Sequence, residues 1–192
     1  QLTIEEGAIL ISQNRLRIYN GADPDLQVNG TIQTAGGNVV IQTGTTNIFS
    51  STSITNIPQN NVRTRGNSST TFENGSQLNI SASGRFSAEQ TSIVVFDPGS
   101  TIQNDNFFRV RNTAVVNISG MFIHTGSFQQ QDTSQLNFLS GSSFEYARNA
   151  GAFPTPTLTS FASGSSVEVT GVTSTVPTNL NHAFHAFEWN AT

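Results

Sequence analysis

The chain has 192 residues, with no cysteine, no lysine, eight arginines, twelve acidic residues and a net charge of -4; only 10% of it is charged, against about 25% in an ordinary domain. That excludes disulfides and zinc–thiolate sites and leaves few groups for acid–base chemistry. Serine, threonine and asparagine together number 67, yet Leu, Ile, Val and Phe still supply 50 residues, enough for a core, so a folded, neutral-polar, β-rich protein is expected.

Taken in chain order, Leu2-Thr3-Ile4, Leu16-Arg17-Ile18, Leu26-Gln27-Val28, Leu78-Asn79-Ile80, Phe108-Arg109-Val110, Val116-Asn117-Ile118, Leu136-Asn137-Phe138 and Val167-Glu168-Val169 all alternate apolar, polar, apolar. This is the period of a short strand with one buried and one wet face. Amphipathic helical patterns are nearly absent before residue 180. The longest apolar runs, such as Ile93-Val94-Val95-Phe96, fall far short of the roughly 18 residues that span a bilayer, so membrane insertion by this segment is not expected.

Glycine corners follow the strands in a recurring way. Gly75-Ser76-Gln77-Leu78-Asn79-Ile80 is followed by Gly84-Arg85-Phe86, and Val94-Val95-Phe96 by Gly99-Ser100-Thr101-Ile102. The interval from Gly99 to Gly120 is repeated without change from Gly120 to Gly141. An imperfect repeat of about twenty residues built from very short strands predicts a right-handed parallel β-helix (β-solenoid), one repeat per coil. The segment Ala147 to Ser160, with Pro154 and Pro156, reads as an insertion. Eight or nine coils are expected, in a rod roughly 40 Å long at about 4.8 Å per coil. Phe86, Phe122 and Phe144 are expected in one inward ladder; Asn79, Asn117 and Asn137 share an outward slot that solubility alone explains. An antiparallel sandwich also has many short strands, but it gives no reason for an equal-spaced repeat.

Charged residues offer few candidate sites. The arginines look scattered, Arg109 and Arg111 being the nearest thing to a cluster, so a nucleic-acid surface is not expected. Asp97, Asp105, Asp132 and Glu145 read as the acidic residues of the central coils, with Asp97 and Asp105 in turns. Were the rod to bind or cleave glycans, Arg109, Arg111, Asp105 and Glu145 would line one shallow groove with Tyr146. His182, His185 and His124 could together ligate a metal, but the first two sit among Phe184, Phe187 and Trp189, where packing explains them. Thr43-Gly44-Thr45, Thr155-Pro156-Thr157 and Thr173-Ser174-Thr175 invite an ice-binding reading, without the fixed coil spacing a lattice needs. No catalytic residue, metal site or cofactor is expected.

The C-terminal segment Leu180-Asn181-His182-Ala183-Phe184-His185-Ala186-Phe187-Glu188-Trp189-Asn190 departs from the rest in its aromatic content. By composition it is an end cap for the stack or the start of a following module. Its Leu-Asn-x-x-Phe-x-x-Phe-x-Trp-Asn spacing resembles a recurring element of very large secreted or cell-surface β-helix proteins of the Bacteroidetes. That family often continues with cysteine where Ala191 stands. The resemblance implies export by the type IX secretion system, an adhesin-like role, a secreted or outer-surface location, and contact with the secretion machinery and other cell-surface components, with glycans as a further partner. The division expected is a parallel β-helix over 1–178 and a C-terminal cap or linker over 179–192. The function expected is structural and adhesive, without enzymatic activity; a polysaccharide-binding or polysaccharide-degrading β-helix is the alternative. The chain starts Gln1-Leu2-Thr3, without Met or a signal peptide, as a processed chain or a piece of a longer one would.

Overall fold

The computed structural model describes residues 1–19 and 23–191. Three parallel sheets wind into a β-solenoid of about eight turns, each complete coil giving one strand to each sheet. The first sheet stacks Leu2–Ile4, Leu26–Val28, Thr46–Phe49, Ser69–Phe72, Ile93–Phe96, Val115–Ile118, Gln135–Phe138 and Thr159–Phe161. The second stacks Ile9–Ser12, Thr31–Thr34, Ile54–Ile57, Gln77–Ile80, Thr101–Asn104, Met121–His124, Ser143–Tyr146, Ser166–Val169 and Ala186–Trp189. The third holds Leu16–Ile18, Val39–Ile41, Asn61–Thr64, Arg85–Ala88, Phe107–Val110 and Ser127–Gln130. Every pairing is parallel, which removes the sandwich. The register step per coil varies, from the short advance of Thr101 to Met121 to the longer one of Ser69 to Ile93. Among the described residues no helix is long and apolar enough to cross a membrane.

The corner between the first and second sheets shows how the repeat is encoded. Gly75, Gly99, Gly141 and Gly164 all have positive φ, from 82° to 88°, where a side chain is strained. Each is followed by a buried serine, and Ser100, Ser142 and Ser165 each donate from Oγ to the carbonyl three residues back, at 2.7 Å. A Gly-Ser pair therefore turns the chain and gives the buried serine hydroxyl its partner in one move.

The interior is filled by in-register ladders. In the first sheet Phe72 stacks between Phe49 and Phe96, at 4.4 and 4.5 Å between ring centroids, and Phe161 stacks on Phe138 at 4.7 Å. Phe122 and Phe144 pair in the second sheet as expected, but Phe86 belongs to the third and stacks on Phe108 at 5.1 Å. The difference arises because the repeat contains three strands: strands with the same local pattern alternate between sheets. For the same reason Asn79 lies on the second sheet and Asn117 and Asn137 on the first. These asparagines do more than face water: Asn79 Nδ2 donates to Asn56 Oδ1 at 3.0 Å and Asn137 Nδ2 to Asn117 Oδ1 at 2.9 Å, tying one coil to the next.

The seventh coil departs from the pattern at the expected insertion. It gives no strand to the third sheet; the chain passes through the isolated bridge Ala152↔Thr178 and a short 3-10 turn, Pro156–Leu158. Phe153 is buried there and stacks on Tyr146 at 4.4 Å, so the detour still fills the core. At the C-terminal end, Phe184 packs on Phe161 and Phe153, with His182 beside them. Ala186–Trp189 then joins the second sheet as its last strand, leaving Phe187 and Trp189 over Val167 and Val169 with 42% and 41% of their surface exposed. The aromatic segment thus covers part of the end and also continues the stack.

Candidate functional site

The five residues of the candidate glycan groove do not meet on one surface. Tyr146 points into the core, where its hydroxyl donates to Ala150 O at 2.6 Å; burial pushes its pKa up. Glu145 lies on the outer face of the second sheet and accepts from Thr170 Oγ1 at 3.0 Å, in one column with Glu168 and Glu188. Asp105 holds the corner between the second and third sheets, accepting from Gln103 Nε2 and, at 2.7 Å, from Thr125 Oγ1. Arg109 and Arg111 alone stay together, on the third sheet. Alternation decides this: Glu145 and Tyr146 are sequence neighbours and so face opposite sides of one strand.

The histidines are also separated. His124 is buried in the second sheet, whereas His182 lies near the C-terminal end and its Nε2 donates to Pro154 O at 3.0 Å. Among the described residues no three His, Cys, Asp or Glu side chains are placed to hold a metal ion. None of the Thr-x-Thr pairs falls within a strand, so they do not form a row on a sheet face.

The third sheet gathers what looks scattered along the chain. Seven of the eight arginines lie on its outer side or immediately beside its strands: Arg15, Arg17, Arg63, Arg65, Arg85, Arg109 and Arg111. Arg17, Val40, Arg63, Ser87, Arg109 and Gln129 form one column by register, so Arg17, Arg63 and Arg109 recur every second coil, about 9.6 Å apart. Gln42, Arg65, Glu89 and Arg111 form the next column, each following its strand and donating its backbone N–H to the coil before.

Within this face Glu89 is the residue that sequence reasoning passes over. It is 3% exposed; Arg109 Nη2 donates to its Oε1 at 2.6 Å and Arg111 Nη2 to its Oε2 at 2.8 Å. Burial pushes the carboxyl up, but the hydrogen bonds and charges of Arg111 and Arg109 outweigh it and hold the pKa below its ordinary value. Its place one coil before Arg111 in the same column is the signal that identifies it once the coil length is known. Glu89→Gln keeps the shape and removes the charge, and is expected to cost about 1–3 kcal/mol of stability at pH 7, with the two arginines partly exposed and still solvated. Denaturant unfolding checks this. The sign of the pH dependence is set by the lowered carboxyl: the gap between the two proteins holds above the unfolded value of 4.5 and closes as the pH falls through the folded one.

Two coils before that pair, Arg15, Arg17, Arg63 and Arg65, with Asn38 and Gln42, line a cleft of about 110 Å³. Among the described residues the only ion pairs are the two to Glu89, so none of these four arginines has a carboxylate within ion-pair distance. Comparisons with protein-family models, with curated proteins and with solved structures returned no match to this chain.

Proposed function

We propose that the chain is a structural and adhesive segment of a secreted or outer cell-surface protein, whose work is mechanical and not enzymatic. The observation that supports this most is the parallel register that runs the length of the first two sheets and through six coils of the third: each coil is hydrogen-bonded to its neighbours, and Phe and Asn ladders repeat the tie inside and outside. Opening such a stack in its middle breaks several strand pairs at once, which makes it stiff and slow to yield to proteases. The carboxylate with a clearly shifted pKa, Glu89, spends both oxygens on arginines and is poorly placed to carry protons. Export by the type IX system and a Bacteroidetes-like surface context rest on the resemblance of Leu180 to Asn190. The purified chain, incubated with a panel of acidic and neutral polysaccharides, is expected to release no new reducing ends. Depolymerisation of any of them would sink the mechanical reading.

A further inference from the structure

The third sheet carries the same two-arginine fork twice. Arg63 and Arg109 occupy one column, Arg65 and Arg111 the next, so the pair in the third coil is the register equivalent of the pair in the fifth. In the fifth coil the fork closes on an internal carboxylate one coil below, with one oxygen of Glu89 on each guanidinium. In the third coil the residue one coil below, at the place of Glu89, is the neutral Gln42. Around that position the chain opens the cleft described above and adds Arg15 and Arg17 from the first coil. Arg63 Nε is buried without a hydrogen-bond partner, as are the Nε atoms of Arg109 and Arg111 in the closed copy. Four like charges gathered on one face repel one another and destabilise the sheet unless an anion is shared among them.

We propose that this cleft binds a carboxylate of an extended acidic polysaccharide, a polyuronate, in the manner in which Arg109 and Arg111 hold Glu89. This adds a ligand class to the adhesive reading and rests on it for the contact with extracellular polymers. At about 110 Å³ the cleft takes an acidic group and not a whole sugar ring, so the remainder of the ligand lies along the face. There Arg17, Arg63 and Arg109 repeat about every 9.6 Å, a spacing suited to a polymer with charges at regular intervals. Gln129, on the outer side of the same sheet, offers hydrogen bonds to hydroxyl groups. Stacked bases would need a run of exposed aromatic rings; Phe107 is half-buried under the Arg85 guanidinium, 5.2 Å from its centroid, and Tyr19, whose hydroxyl accepts from Arg17 Nη1 at 3.1 Å, is a single exposed ring at one end.

Titration of the full chain with polygalacturonate tests the assignment, with dextran, poly-L-glutamate and an oligo-dT of matched charge as comparisons. Polygalacturonate is expected to bind and dextran not, with affinity falling about tenfold or more between roughly 50 and 200 mM salt. The double variant Arg63→Gln/Arg65→Gln is expected to bind more than about tenfold more weakly. Gln42→Glu places a carboxylate where Glu89 stands in the later copy; it should weaken binding similarly while leaving the melting temperature unchanged or higher. This second variant keeps the test decisive if the first fails to fold. Wild-type affinity in either folded variant, no binding at low salt, or tighter binding of oligo-dT or poly-L-glutamate overturns the proposal. Cleavage of polygalacturonate would instead overturn the mechanical reading and leave the cleft as assigned.

Discussion

Phe72→Ala is expected to lower the unfolding free energy by about 3–5 kcal/mol, the largest effect of any single truncation in this chain. Phe72 is 1% exposed, sandwiched between Phe49 and Phe96 in nearly parallel stacks, and edge-on to Phe86 of the third sheet at 6.3 Å. Removing its ring leaves a gap that neighbouring strands cannot close, because their positions are fixed by the ladder on either side. A solenoid's coils are held chiefly by their nearest neighbours, so the lesion also uncouples the first three coils from those that follow. Denaturant unfolding should show a lower midpoint, and hydrogen exchange should show the loss concentrated around Thr46 to Phe96. Phe72→Leu keeps much of the volume and is expected to cost under half as much. An effect of Phe72→Ala below about 1 kcal/mol would contradict the stacking role.

Acidification is expected to weaken the fold through His124 well before the carboxylates protonate. His124 is buried in the second sheet among Phe122, Phe144 and Tyr146, and burial, aided by the charge of Arg148, depresses its pKa from 6.5 to about 3. Asn104 Nδ2 approaches His124 Nδ1 at 2.9 Å and also donates to Ser127 O at 3.1 Å, which orients the amide. Nδ1 therefore accepts, and the proton of the neutral ring sits on Nε2. A second proton would place N–H against N–H in the core. The folded pKa lies below the unfolded one, so the stabilisation is complete above pH 6.5 and is lost as the pH falls toward 3. The loss reaches about 2 kcal/mol by pH 5. His182, lowered by burial and raised in part by its bond to Pro154, adds in the same direction. His124→Asn supplies an amide oxygen in place of Nδ1 and does not titrate. It should be less stable at pH 7.5, through lost ring packing, but fall less steeply between pH 7.5 and 5 in urea midpoints, His182 supplying the slope that remains. Equal pH slopes in the two proteins would show that His124 is not the group responsible.

The strands are legible in the sequence because each needs only a local pattern. Leu2–Ile4, Leu16–Ile18 and Leu26–Val28 have the same bounds in the alternation and in the structure, and Leu136-Asn137-Phe138 and Val167-Glu168-Val169 each gain one residue. The Gly-Ser corners are legible for the same reason, since positive φ selects glycine whatever lies beyond the turn. Which ladder a strand joins is not legible from its pattern alone. Phe86 and Phe122 have similar local settings and enter different sheets, because each coil holds three strands and its corners vary in length. The candidate groove fails on the same ground, with Glu145 and Tyr146 on opposite sides of one strand.

Alternation and corner chemistry, which act over a few residues, are thus enough to specify a parallel solenoid, its approximate coil length and a core of ladders. Charge is different. Along the chain no arginine stands between Arg17 and Arg63, and Arg65, Arg85 and Arg109 are far from one another, a sparseness that argues against any charged surface. Winding the chain brings seven arginines to one face, buries Glu89 between two, and leaves four around one cleft. Electrostatic interaction depends on distance in space, and only the closed register of the three sheets sets those distances.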